Sequence, residues 1–373
     1  MTEEQPRLTV LITNAWLDRR GGTETVVRDV ALGLLRRGHR PIVYAPHLGE
    51  PANELYRRGV AVVADLASVA EPPDVIHGQH LIQTGEAILH FPQTPAIQMC
   101  HAWAYWHEGP AKLAQVRRYV AVDEAVRDRL VHAEGVDPAR VEVIYNAVDL
   151  ERVPDRPAPL PPKPKRALAF TKTQAQLPLI REACRAHGIA LDVLGAGGGR
   201  ESSAPERELV GYDLVFATAR MALEALCAGC AVIVCDSRGM AELVTCASLP
   251  RLRPLNFGLR ALVHPVTTTR LSAEIAKYDA ADAERAATRV RLMAPIDPTL
   301  DRLLQVYGDA MAQPPPDPET SRLATLRFLT DHLPRVRSGG RWPWMVERDQ
   351  LTARIGQLER ELAAARGARP PGD

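Results

Sequence analysis

Short apolar runs alternate with stretches of helical period along most of the chain. Leu8–Ile12 (LTVLI) is a run of strand length, and after a polar loop Val26, Val27, Val30, Ala31 and Leu34 share one helical face between Thr23 and Arg37. Gly38 then stops the helix. Strand-like runs recur at 41–45 (PIVYA), 60–64 (VAVVA), 74–78 (DVIHG), 95–100 (PAIQMC) and 117–122 (RRYVAV). A helix over Asp123 to Glu134 and VEVIYNAVD at 141–149 complete the series. Strands alternating with helices predict a parallel sheet covered on both faces.

Residues 153–165 (VPDRPAPLPPKPK) break every period and read as an extended connector. A second series follows: strands at 166–171, 190–195, 213–217 and 231–236, with helices at 178–187 and 220–228. The expected architecture is α/β: two doubly wound, Rossmann-like lobes, 1–152 and 166–313, facing a cleft. Ligands would enter at the strand carboxyl ends. Residues 314–373 read as a helical tail, with helices at 300–311 leading in and at 321–333. Leu351, Ile355, Leu358 and Leu362 then repeat in steps of four and three. That seam suits a short coiled coil, joining a homodimer or a partner protein, or a single helix docked on its own lobe.

Composition narrows the function classes. The chain has 373 residues, 46% of them apolar and 24% charged, which suits an ordinary globular protein. Lys and Arg total 46 against 45 Asp and Glu, so no electrostatic case exists for nucleic acid. No apolar run is long enough to span a bilayer and no secretory leader is apparent, so a cytoplasmic chain is expected, with peripheral membrane association left open. Six cysteines, at 100, 184, 227, 230, 235 and 246, are unevenly spread and read as buried small hydrophobes. Cys227 and Cys230 have zinc-like spacing but no second ligand pair nearby, so no metal is expected.

Glu224 is the residue that demands explanation, because it stands inside the otherwise apolar stretch VFATARMALEALCAGCAVIVCD, where a lone charge is costly. By itself it could simply favour the dipole of a helix start. Gly21 and Gly22 pose a related choice. Between a strand and a helix they allow an anion to approach backbone N–H groups, or they only make a turn.

GGTE after the first strand, VDEAVRDRLV leading to VEVIYNAVD, and ALEALCAGCAVIVCDSRGMAELV in the second lobe together resemble the family-4 type retaining glycosyltransferases of the GT-B fold. The resemblance spans about residues 8 to 313. It implies that Glu224, heading the Glu-Ala-x-x-x-Gly segment, hydrogen-bonds the ribose of a nucleotide-sugar donor. It implies a second Glu eight residues earlier, where this chain has Phe216 in a loop shortened to ATAR. In a subgroup with Gly-x-Gly-Arg at this place, Ala217 and Ala219 replace the glycines and Arg220 would meet donor phosphates or sugar; otherwise it is a solvated helix-start arginine. The family's cation pair after the first strand of the second lobe maps to Lys172 and to the apolar Leu177. Lys172 is then the expected phosphate cation, or else an ordinary surface lysine. Gly197, within Gly195–Gly199, resembles the donor-binding Gly-x-Gly turn or is a plain loop. His101 best matches the histidine beside the donor sugar, ahead of His107 and His80.

The expected activity is transfer of a sugar from a nucleotide-diphosphate donor to an acceptor of unknown identity in the first lobe, with retention and without metal or cofactor. Polysaccharide biosynthesis is one setting such an acceptor would imply. Two alternatives stay open: a nucleotide-sugar epimerase or hydrolase on the same scaffold, and a non-catalytic nucleotide binder whose tail recruits a partner.

Overall fold

The structure is a computed structural model and describes residues 6–195, 199, 200, 202 and 204–337, together with 351, 354, 355 and 357. By internal contacts the chain divides into two compact units, 1–111 with 115–316, and 112–114 with 317–373. Both sheets lie in the first.

The first lobe runs β1 (Thr9–Thr13), α1 (Gly22–Arg36), β2 (Arg40–Tyr44), α2 (Glu50–Arg57), β3 (Ala61–Val63), β4 (Val75–Gly78), α3 (Leu81–His90), β5 (Ala96–Cys100), β6 (Val116–Ala121), α4 (Glu124–Asp128) and β7 (Val141–Val143). Its seven strands are ordered β3-β2-β1-β4-β5-β6-β7, and all pair in parallel. The order reverses beside β1, so the loops after β1 and β4 flank the crevice where ligands enter such sheets. The helix expected over 123–134 is α4 followed by a π-helical turn, Arg129–Ala133. Of VEVIYNAVD only the first three residues form a strand.

The second lobe runs β8 (Arg166–Phe170), α5 (Leu177–Ala186), β9 (Ala190–Leu194), α6 (Pro205–Leu209), β10 (Leu214–Ala217), α7 (Ala219–Cys227), β11 (Ala231–Asp236), β12 (Gly239–Leu243), α8 (Leu249–Leu252), α9 (Thr268–Ala276) and α10 (Ala280–Met293). The order is β12-β11-β10-β8-β9. Alternate residues of its strands feed opposite cores, as a period of two requires. Val215, Ala217, Val232 and Val234 pack under α7 and α10, whereas Leu214, Phe216, Ala231 and Ile233 pack under α5 and α9. β12, which the sequence pattern did not mark, pairs antiparallel with β11, because Asp236 to Gly239 form a tight reversal that leaves no room for a crossover helix.

α11 (Ile296–Met311) follows the second lobe in sequence but packs on the first, against α1, β4, β5 and β6. Gly33 makes this possible, since a Cβ there would collide with the Leu300 side chain. Tyr307 of α11 reaches His77 in β4, with its hydroxyl 2.6 Å from Nδ1. The chain thus crosses between the lobes at the 153–165 connector and again where Val148 bridges Pro295.

In the second unit, α12 (Pro318–Arg337) begins with the Asp317 carboxylate accepting from the Thr320 N–H at 2.8 Å. Of the expected seam, Leu351 and Ile355 are helical, and Leu358 and Leu362 lie outside the described residues. Among the described residues no helix is long and apolar enough to cross a membrane.

Candidate functional site

α7 starts one residue after β10 ends, so the connection is as short as its sequence suggests. Thr218 is the N-cap residue and its hydroxyl donates to Asp236 at 3.1 Å. Ala219 takes φ of 51°, a left-handed conformation that an L side chain adopts at a cost. Its N–H donates to Phe257 O at 2.9 Å. Phe216, where the second glutamate of the family pattern would fall, is 1% exposed within β10 and belongs to the core. No polar group can be presented from that position.

Arg220 and Glu224 sit one helical turn apart on α7, and Arg220 Nε donates to Glu224 Oε1 at 2.9 Å. The lone carboxylate in an apolar segment therefore has a partner on its own helix. Arg220 also forms an ion pair with Asp29 of α1, from the other lobe. Asp29 in turn meets Arg28 at 3.0 Å and Arg152 at 3.4 Å, Arg152 reaches Glu206, and Arg28 and Arg20 share Glu54. Four arginines and four carboxylates form one charge-balanced network between the lobes. Burial pushes the Asp29 and Glu224 carboxyls above their usual range against the pull of Arg220. For Arg220 burial opposes the charge, but Asp29 and Glu224 outweigh it and hold the pKa above the ordinary value. Arg220 is thus not a solvated helix-start residue.

The network was largely invisible to pattern reading. Asp29 lies on the flank of the α1 stripe formed by Val26, Val27 and Val30, and its 1% exposure had one signal, a carboxylate amid apolar neighbours. The same signal singled out Glu224.

At the start of α1, Gly21 is the extended N-cap residue and Gly22 opens the helix. The Glu24 side chain folds back over this turn, and Thr23 Oγ donates to its Oε2 at 3.2 Å. Burial raises the Glu24 pKa, while its own backbone N–H, His80 and Lys172 pull it down. Lys172, on the loop after β8, is exposed, and its charge acts on Glu24 from the second lobe. Leu177 is 6% exposed at the first turn of α5 and packs into the core. Gly197 lies outside the described residues.

His101 follows β5, and burial lowers its imidazole pKa to about 4. It is neutral at pH 7, and its Nε2 has no hydrogen-bond partner among the described residues. Its backbone N–H donates to Glu108 Oε2 at 3.3 Å, and Glu108 Oε1 lies 3.5 Å from His80 Nε2. Although burial opposes it, the hydrogen bond and charge of His80, with His101 and His107, hold the Glu108 pKa down to about 2. Glu108 went unremarked in the sequence. His80, His107 and Glu108 come close enough to suggest a metal centre. The tautomer argues otherwise: Ala15 N–H donates to His80 Nδ1 at 3.1 Å, so the ring proton sits on Nε2 and is directed at Glu108. The residues that the structure gathers at the strand ends are thus Gly21, Gly22, Lys172, His101, Arg220 and Glu224, with Lys172 the most solvent-exposed of the side chains.

Residues 20–152 match the model of Glycosyltransferase Family 4. No curated protein is significantly similar in sequence. Among solved structures, a glycosyltransferase from Rickettsia africae ESF-5 superposes with a TM-score of 0.60 at 14% identity, covering 83% of this chain and 100% of that one. HepE of Anabaena, in complex with UDP-glucose, gives 0.60 at 13% identity over 81% and 100%. AviGT4, a glycosyltransferase involved in avilamycin A biosynthesis, gives 0.52 at 17% over 82% and 98%. Identities this low speak for the fold, and the family match lies within the first lobe. The chain thus has the GT-B fold of these solved structures, and its residues 20–152 resemble Glycosyltransferase Family 4.

Proposed function

We propose that this protein transfers a sugar from a nucleotide-diphosphate donor to an acceptor hydroxyl held by the first lobe, with retention at the anomeric carbon. The observation that carries this reading is the Arg220–Glu224 pair at the start of α7, 2.9 Å apart and immediately after a strand carboxyl end. In the proposed complex Glu224 accepts both ribose hydroxyls, and charge-assisted bonds of this kind contribute roughly 1.5 to 3 kcal/mol each.

The reaction forms a bond from the acceptor oxygen to the anomeric carbon and breaks the bond from that carbon to the diphosphate oxygen. The acceptor proton passes to the departing diphosphate on the same face of the sugar, so no protein nucleophile is required. The growing negative charge is met by Lys172, by Arg220 and by the N–H groups at Gly21 and Gly22. These cations make a metal unnecessary in this scheme. His101, neutral at pH 7, offers a hydrogen bond to a sugar hydroxyl without adding charge. HepE binds UDP-glucose, which supports testing uridine diphosphate sugars first.

A second reading is a nucleotide binder that does not turn over. Two observations favour it: the Arg220 guanidinium is already engaged by Asp29 and Glu224, and Leu177 stands where a second cation is expected. Release of nucleoside diphosphate from a panel of nucleotide sugars decides between them. Slow release from one donor, abolished by Glu224→Ala and by Lys172→Ala, supports transfer. Binding without release from any donor, with or without candidate acceptors, supports the binder.

A further inference from the structure

Away from the strand ends, Tyr145 after β7, Leu249, Pro250, Arg253 and Pro254 around α8, and Leu292 and Met293 at the end of α10 line a groove of about 640 Å³. Arg253 is only 5% exposed yet faces this groove. Its Nη2 donates to Asn146 O at 2.6 Å, and its guanidinium lies 5.2 Å from the Tyr145 ring. Among the described residues, Nε and Nη1 have no hydrogen-bond partner. A buried cation with unspent donors is costly unless something accepts from it.

The rest of the lining describes what that acceptor is attached to. Arg289 adds a second cation at the groove, and no carboxylate is among the described lining residues. Glu124 beside it is engaged by the Tyr145 hydroxyl at 3.0 Å. Leu292 and Met293 are 77% and 49% exposed among the described residues and form an apolar rim. The volume is that of a small-molecule site.

We infer that this groove binds a small amphiphile whose single anionic head, a phosphate monoester, accepts from Arg253 while its alkyl chain lies on Leu292 and Met293. Tyr145 comes from the first lobe and the other lining residues from the second, so such a ligand touches both. The site is separate from the donor residues and its occupancy is read by binding alone.

The test is calorimetric titration of the full chain with octyl phosphate below its micelle concentration, with octanol and inorganic phosphate as controls. Octyl phosphate is expected to bind at least about tenfold more tightly than either control. Leu292→Glu, on an exposed position that leaves the fold intact, and Arg253→Gln should each weaken it about tenfold or more. Inorganic phosphate binding as tightly would mean an anion site without an apolar subsite. Octanol binding as tightly would mean no head recognition. Absence of octyl phosphate binding, an affinity unchanged in Leu292→Glu, or binding only to anionic vesicles would likewise overturn the inference.

Discussion

Asp29 of α1 and Arg220 of α7 are ion-paired across the two lobes, and Asp29 is at the same time the common acceptor for Arg28 and Arg152. Removing its charge leaves three guanidinium groups competing for the remaining carboxylates in a buried place. Asp29→Asn is therefore expected to lower stability by about 3 kcal/mol. Urea unfolding measures this directly. A double-mutant cycle with Arg220→Gln should show a coupling of about 1 kcal/mol or more. Additive effects would mean that the two residues sit together without stabilising each other.

Glu224 and Arg220 share one bond, so donor binding must either use the free oxygens of Glu224 or rearrange the pair. Glu224→Gln keeps the shape and removes the charge. It should reduce kcat/KM for the nucleotide sugar by about ten- to a hundredfold, the cost of one or two charge-assisted bonds. A donor lacking a ribose hydroxyl should then be used about equally by wild type and variant. If the variant still discriminates as wild type does, Glu224 is not the ribose acceptor.

The two glycines opening α1 make a contrasting pair. A Cβ on Gly22 meets no atom of the described residues within 4 Å, whereas one on Gly21 would fall on the Glu24 carboxylate. Gly22→Ala is expected to change stability by less than about 0.5 kcal/mol. Gly21→Ala forces Glu24 off the helix start and should weaken donor binding by more than Gly22→Ala does. Equal effects in a titration with donor would show that the Glu24 position is immaterial.

Much of this architecture was legible because periods of two and of 3.6 are enforced by burial. Val232 and Val234 face one core and Ala231 and Ile233 the other, and that requirement writes the strand into the sequence. What escaped depends on long-range placement. β12 owes its antiparallel course to a tight reversal at Asp236–Gly239, and α11 leaves its sequence neighbours because Gly33 opens a seat for Leu300. Glu224 was visible as a charge out of place and its partner Arg220 is one turn away, but Asp29, which also pairs with Arg220, lies 191 residues from it in the chain. No local pattern encodes a contact of that separation. The histidines stood out by number, whereas Glu108, which organises two of them, looked like an ordinary loop carboxylate.

Ala219 adopts φ of 51° where the related pattern has glycine. The left-handed region costs an L residue about 1 to 2 kcal/mol, and glycine gives part of that back through the unfolded chain's entropy. Ala219→Gly should consequently raise stability by up to about 1 kcal/mol, and Ala219→Val should lower it. Thermal unfolding of both variants tests the sign. A destabilised glycine variant would mean that the connection between β10 and α7 is held by the Ala219 methyl and not strained by it.

The buried histidines set the response to acid. His77 is wholly buried against Tyr307, and burial, reinforced by His101, lowers its pKa from 6.5 to about 3. Between those values the unfolded chain carries the proton and the folded chain does not. The stability is thus fully present above about pH 6.5 and is lost as pH falls, by ~1.4 kcal/mol per pH unit from this residue alone. His101, lowered to about 4, acts in the same direction. His77→Gln retains a hydrogen-bonding group for Tyr307 but cannot titrate, so its unfolding free energy should fall less steeply between pH 6 and 4 than that of wild type. Parallel slopes for the two proteins would show that His77 takes up its proton without unfolding the sheet around it, which would require the Tyr307 contact to open and admit water.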